Sequence, residues 1–192
     1  MNTTILKLEP AIALSENQFF SLCQQNPDLK FERSCQGELI IMPPTGGETG
    51  RKNAELIADF IIWNRQSKLG IVFDSSTCFR LPKGGDRSPD VSWLKKECWD
   101  SLTPEQQRKF PPLCPDFVLE LLSPSDNLSF TQAKMQEYQA NSVQLGWLLN
   151  PQDQQVEIYR LGCPVEILSC PSELFGENVL PDFVLNIAWL WQ

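Results

Sequence analysis

The chain contains no histidine. That excludes Ser-His-Asp and Cys-His catalysis, and every zinc site that needs an imidazole. Any general base or metal ligand must therefore be Asp, Glu, Lys, Tyr, Cys or water. No Cys-x-x-Cys pair occurs either. The seven cysteines, Cys23, Cys35, Cys78, Cys98, Cys114, Cys163 and Cys170, are odd in number and irregularly spaced, which supports neither a zinc ribbon nor a redox couple. They read as buried or half-buried free thiols in a reducing cytoplasm. Long apolar runs are missing as well. The longest, Phe60–Trp63 and Ile187–Trp191, fall far short of the roughly 20 residues of a membrane span. Met1 to Pro10 carry no secretory pattern. A soluble cytoplasmic protein with no membrane partner is expected. Positive charge is scarce: 16 Lys and Arg stand against 24 Asp and Glu, a net charge of −8. The overall field does not hold such a chain to nucleic acid, although a local basic groove remains open.

What is present has a globular balance. Hydrophobic residues make up 42% and charged residues 21%, which rules out a disordered or fibrous chain. A length of 192 residues suits one domain, taken as 1–192, and is enough to bury a core without disulfides or metal.

The patterning alternates between helix and strand. Leu14–Gln25 reads as a helix, with Ser15 and Gln18 forming a capping box. Lys30–Arg33 and Glu38–Met42 read as a β-hairpin. Glu48–Lys68 carries Ala54, Leu56, Ile57, Phe60, Ile61 and Trp63 at near-helical spacing, with Gly70 as the stop. Strands are expected at Ile71–Phe73, Ser76–Leu81 and Pro89–Leu94, and a short helix starts at Thr103-Pro104-Glu105. Asp116–Leu122, with its near-continuous apolar run FVLELL, suits a strand covered on both faces. Ser129–Asn141 reads as a helix with Ser129 and Gln132 as its capping box. Strands follow at Leu145–Leu149 and Val156–Arg160, and Phe183–Trp191 closes the chain. This is an α/β (α+β) pattern: a central mixed β-sheet flanked by helices, with an N-terminal helix and a β-hairpin.

Glu120 is the sharpest single feature. A carboxylate inside a buried apolar strand is costly unless it is paired, protonated or bound to a metal. Two alternatives are structural: alternation turns Glu120 to a wet face, or a basic residue pairs with it. Asp90, after Pro89 at the start of another strand, gains its interest from Glu120. Two carboxylates on neighbouring strands can hold one hard cation, and Mg²⁺ favours one or two carboxylates, waters and a substrate phosphate.

Pro89-Asp90, followed by a strand carrying Glu120, resembles the PD-(D/E)XK nuclease pattern. GELIIMPPTGG at 37–47, SPDVSWL at 88–94, PDFVLELLSPSD at 115–126, KMQEY at 134–138, LGWLLNPQDQQVEIYR at 145–160 and VLPDF at 179–183 resemble the bacterial Uma-two family of restriction endonucleases. The resemblance runs from about Ser15 to Leu190. It implies a restriction-endonuclease-like core and a Mg²⁺ cofactor, with Mn²⁺ as a substitute. In that pattern Asp90 and Glu120 are the catalytic carboxylates that hold the metal, and the backbone carbonyl of residue 121 is a further ligand. Glu55, on the helix before the first core strand, matches the accessory acidic position, or else is a solvent-facing helix residue. Leu122 stands where the motif has lysine. Lys134, on the following helix, fits the place of a recruited replacement that orients or deprotonates the attacking water; the alternative is a surface cation beside Glu137. Gln132, Gln136 and Tyr138 are further candidates for lining. Arg80, Lys83 and Arg87 form either a phosphate-facing rim or scattered solvated charge.

The resemblance therefore implies a Mg²⁺-dependent endonuclease acting on phosphodiester bonds of nucleic acid, DNA foremost. A homodimer is the expected assembly, with Ile187–Trp191 as the candidate interface or else as core. The alternative is a nuclease fold kept as a binding or assembly module without turnover, favoured by Leu122 and the charge of −8. A two-carboxylate glycosidase ranks last, because no sugar-binding aromatic platform is evident.

Overall fold

The computed structural model describes residues 3–192. Strand β1 (Thr4–Leu6) precedes helix α1 (Glu16–Gln25) and the hairpin β2 (Lys30–Arg33) to β3 (Leu39–Met42). The long helix α2 (Gly47–Ser67) leads into β4 (Gly70–Asp74), β5 (Phe79–Arg80), β6 (Asp86–Arg87) and β7 (Val91–Lys95). Two short helices, α3 (Lys96–Asp100) and α4 (Pro104–Arg108), reach β8 (Phe117–Leu121), and α5 (Leu128–Ala140) follows. The chain closes with β9 (Leu145–Asn150), β10 (Gln155–Arg160), β11 (Glu166–Ser169), β12 (Glu173–Phe175), β13 (Val184–Asn186) and a 3₁₀ turn at Ala188–Trp191.

A six-stranded sheet in the order β11-β10-β9-β8-β7-β4 forms the centre. Its β8–β9 pair is parallel and its other pairs antiparallel. A parallel pair requires a crossover, and α5 supplies it. A five-stranded antiparallel sheet, β1-β3-β2-β6-β5, carries the hairpin, and β12 pairs with β13 in a small ribbon. Both faces of β8 are covered, which explains its apolar run. Phe117, Leu119 and Leu121 pack with Leu56 and Phe60 of α2. Val118 packs with Met135 and Tyr138 of α5. The mixed sheet between helices is therefore present as expected. No helix of the described residues is long and apolar enough to cross a membrane.

Local signals were realised unevenly. The Ser15 and Gln18 capping box of α1 is present in both directions. In α5 the cap is Asn127 rather than Ser129: the Asn127 side chain accepts the Phe130 amide, and the Ser129 hydroxyl donates to it. The strand expected over Ser76–Leu81 shortens to Phe79–Arg80, because Asp74 accepts the Ser76 amide and hydroxyl and bends the chain there. For the tail, the core alternative holds at its apolar positions. Ile187 and Leu190 are buried in the main core, with Trp189 and Trp191 packed against it. All seven cysteines are free, but Cys35, Cys163 and Cys170 are exposed rather than buried.

Gly70 also differs from its expected role. Helix α2 ends on Lys68 in the left-handed conformation, φ 57°. Gly70 instead opens β4, where a Cβ would collide with the Leu94 carbonyl oxygen and the Trp93 indole. Neither is the yielding end of a flexible chain. Gly70→Ala should cost about 1–3 kcal/mol or more through overpacking, read as a lowered midpoint in urea or thermal unfolding.

Candidate functional site

The register of β7 on β8 brings the two expected carboxylates together. Ser92 pairs with Val118 and Val91 with Leu119. One step further along this antiparallel register sets Asp90 opposite Glu120. Directly opposed like charges on neighbouring strands repel, so the surroundings must compensate.

They do so mainly through Lys134. Residues 118 and 120 share the face of β8 that α5 covers, and Lys134 projects from α5 onto it. Its Nζ lies 2.7 Å from Glu120 Oε1 and 2.9 Å from Glu32 Oε1, and donates to the Ser88 carbonyl at 3.1 Å. All three ammonium protons are thus engaged, and the side chain is buried. Tyr138, one turn on, donates its hydroxyl to the same Glu120 Oε1 at 3.1 Å. Among the described residues no donor reaches Glu120 Oε2. Asp90 turns Oδ2 to the Leu121 amide at 2.8 Å. Its Oδ1 receives only a long 3.4 Å approach from Asn53 Nδ2.

Glu32, on β2, belongs to the cluster and was not expected from the sequence. It is buried and accepts from Lys134, from Arg87 Nη1 at 3.0 Å and from the Ser88 amide at 2.9 Å. Arg87 in turn makes a two-pronged pair with Glu137, at 2.7 and 2.8 Å. Arg87 is therefore a buried structural cation and does not face phosphate. Arg80 is tied to Glu16 and Asp86, and Lys83 is exposed, so no basic rim forms from these three. Lys134 is not a surface cation beside Glu137, because Arg87 takes that carboxylate.

Charge states follow from these partners. Burial pushes the Glu120 carboxyl up to about 7, and the charges of Asp90 and Glu32 add to it, against the pull of Lys134. Burial likewise raises Asp90, against the Leu121 hydrogen bond. Burial would raise Glu32 too, but Lys134 and Arg87 prevail and hold it down at about 2. For Lys134, burial opposes the charge, yet Glu120 and Glu32 raise it above the ordinary lysine range.

Glu55 is exposed on α2 and lines a shallow recess with Arg51, Trp189 and Gln192, apart from the cluster. The α2 residue that reaches Asp90 is Asn53. Thr49, Asn53, Leu56 and Phe60 form the inward stripe of the helix, so an asparagine among apolar positions was the available signal. Gln132 binds Glu157 at 2.6 Å, and Trp99 packs on Phe73. A cleft of about 220 Å³ opens beside Leu121 and Leu122 at the carboxyl end of β8, with Lys52, Gln152 and Trp191 among its walls. Ligands of open α/β sheets bind in this position.

The oxygen-rich, imidazole-free donor set suits a hard cation such as Mg²⁺. Two carboxylates are opposed, and each keeps one oxygen free or nearly free. Among the described residues no set of three acidic or thiol side chains is placed to hold a metal ion, so a cation there needs neutral oxygens or water as well.

Comparisons with known proteins bear on the family and the fold. A family model, Uma2, described as "Putative restriction endonuclease", matches residues 17–188. A crystal structure of "a putative nuclease belonging to DUF820" from Anabaena variabilis superposes with a TM-score of 0.70 at 19% identity, over 84% of this chain and 89% of that one. The likeness establishes the fold. No curated protein matches.

Glu32 supplies a test of the network. Its carboxyl sits below the ordinary value of 4.5, at about 2, so its stabilisation is full above pH 4.5 and is lost as pH falls towards 2. Glu32→Gln should flatten the acid limb of the stability profile over that window. It should also cost about 3–5 kcal/mol near neutral pH by leaving buried cations uncompensated, measured by chemical denaturation across pH.

Proposed function

We propose that this chain, which belongs to the Uma2 family, is a divalent-cation-dependent endonuclease that hydrolyses phosphodiester bonds of nucleic acid, with DNA as substrate. The observation that carries the reading is the meeting of Asp90, Glu120 and Lys134 at the carboxyl end of β8, where the adjoining Leu121 forms part of a cleft wall although the three themselves do not line it. A structural ion pair alone would not require a second carboxylate set opposite the first.

Asp90 and Glu120 would hold Mg²⁺, or Mn²⁺ in its place, through Asp90 Oδ1 and Glu120 Oε2. A cation so bound polarises a phosphate oxygen and lowers the pKa of attached water. Lys134 and Tyr138 fix Glu120 through Oε1 and so leave its other oxygen uncommitted. The Leu121 amide does the same for Asp90 through Oδ2. Glu32 and the Ser88 carbonyl hold the Lys134 ammonium, whose charge offsets the negative charge that builds on the phosphoryl group during attack. The position vacated by the motif lysine, Leu122, is buried and forms cleft wall. Lys134 carries its charge to Glu120 from the opposite side of the loop.

Titration of Mn²⁺ and Mg²⁺, with plasmid cleavage followed on the same samples, checks the reading. Asp90→Asn and Glu120→Gln should each abolish cation binding and cleavage. Lys134→Met, confirmed folded by circular dichroism, should lower cleavage about 100- to 1,000-fold. A wild type that binds no divalent cation would overturn the catalytic reading. Binding without cleavage of any DNA or RNA would favour the non-enzymatic module.

A further inference from the structure

The carboxamide of Asn53 sits in an unusual position. It lies on the inward stripe of α2, half-buried, beside the Asp90 carboxylate. Its Nδ2 faces Asp90 Oδ1 at 3.4 Å, too far for a good hydrogen bond. Its Oδ1 is fully removed from solvent and has no donor. A buried acceptor without a partner costs about 1–3 kcal/mol. An apolar residue at this position would carry no such cost and would continue the stripe of Leu56 and Phe60. Nothing in the hydrogen bonding of α2 uses the side chain otherwise.

The surrounding charges explain the arrangement. Asp90 and Glu120 offer two carboxylates; Glu32 beside them is taken up by Lys134, Arg87 and the Ser88 amide, and among the described residues no set of three acidic or thiol groups is placed to hold a metal ion. Mg²⁺ and Mn²⁺ prefer oxygen ligands in octahedral geometry and accept amide oxygens. A half-turn of the carboxamide exchanges Nδ2 and Oδ1. Facing bare carboxylate, the amide presents its NH₂. Facing a cation held by that carboxylate, it would present oxygen. Resting on the nuclease reading above, we propose that Asn53 is a third side-chain ligand of the cation, binding through Oδ1 and completing the Asp90–Glu120 pair.

The absence of histidine makes a direct test available. In untagged protein, Asn53→His places the chain's one imidazole at this position. Electron spin-echo spectroscopy of bound Mn²⁺ should then show ¹⁴N modulation that the wild type lacks. Asn53→Ala should weaken Mn²⁺ binding by about 10- to 100-fold, measured calorimetrically without nucleic acid. Asn53→Asp, which keeps an oxygen there, should retain binding. If the wild type binds Mn²⁺ in an Asp90-dependent way, but Asn53→Ala leaves the affinity unchanged and Asn53→His shows no modulation, the role of Asn53 is refuted and the nuclease reading stands. Loss of binding in Asn53→Asp equal to that in Asn53→Ala would likewise refute ligation and leave Asn53 a support for Asp90. If Asp90→Asn does not alter Mn²⁺ binding, both readings fall.

Discussion

The molecule is organised around one buried electrostatic conflict. Strand register sets half-buried Asp90 against buried Glu120, whose face of β8 is packed by α5. Two carboxylates in that position are unfavourable, and a third, Glu32, lies beside them. The ammonium of Lys134 touches both Glu120 and Glu32 and so makes the arrangement tolerable. Its own burial would be as costly without them. Each partner thus depends on the others, and the strands and helix that carry them are held in register by that dependence as well as by apolar packing.

This network separates the roles of similar residues. Glu32 and Glu120 touch the same ammonium, yet their carboxyls are shifted in opposite directions. Glu32 has Arg87 and a backbone amide in addition, and is held ionised. Glu120 has burial and two acidic neighbours against it, and stays easy to protonate. The first is a fixed structural anion. The second has a charge that an arriving cation can settle. Environments that push like groups apart in this way commonly mark sites of function.

Part of this was legible in the sequence. Glu120 stood out because a polar residue interrupted an apolar strand, and Asp90 and Lys134 followed from the ordered motifs around it. The long helices and the hairpin were legible from periodicity and capping residues. Glu32 was not, because a glutamate in Lys30–Arg33 fits the ordinary alternation of a half-exposed strand. Only the second sheet and the edge of α5 cover that face. Arg87 was misread for the same reason: adjacency in sequence to Asp90 says nothing about burial against Glu137. Glu55 drew attention by its charge, but helical geometry puts Asn53, two residues earlier, on the inward stripe. The helix stop was placed at Gly70, where glycine serves close approach of Trp93 and Leu94 instead.

The position of Glu32 has a consequence for how the site comes into being. Glu32 belongs to the hairpin sheet, Glu120 to the central sheet and Lys134 to the crossover between two central strands. Glu32 lies far along the chain from the other two, so joining it to them carries the larger loop-closure entropy. An intermediate with the central sheet formed but the hairpin undocked would hold Lys134 with half its counter-charge. On the proposed function, catalytic competence and completion of the tertiary fold would be a single event, and a nascent or partly unfolded chain would carry no working centre with which to damage nucleic acid.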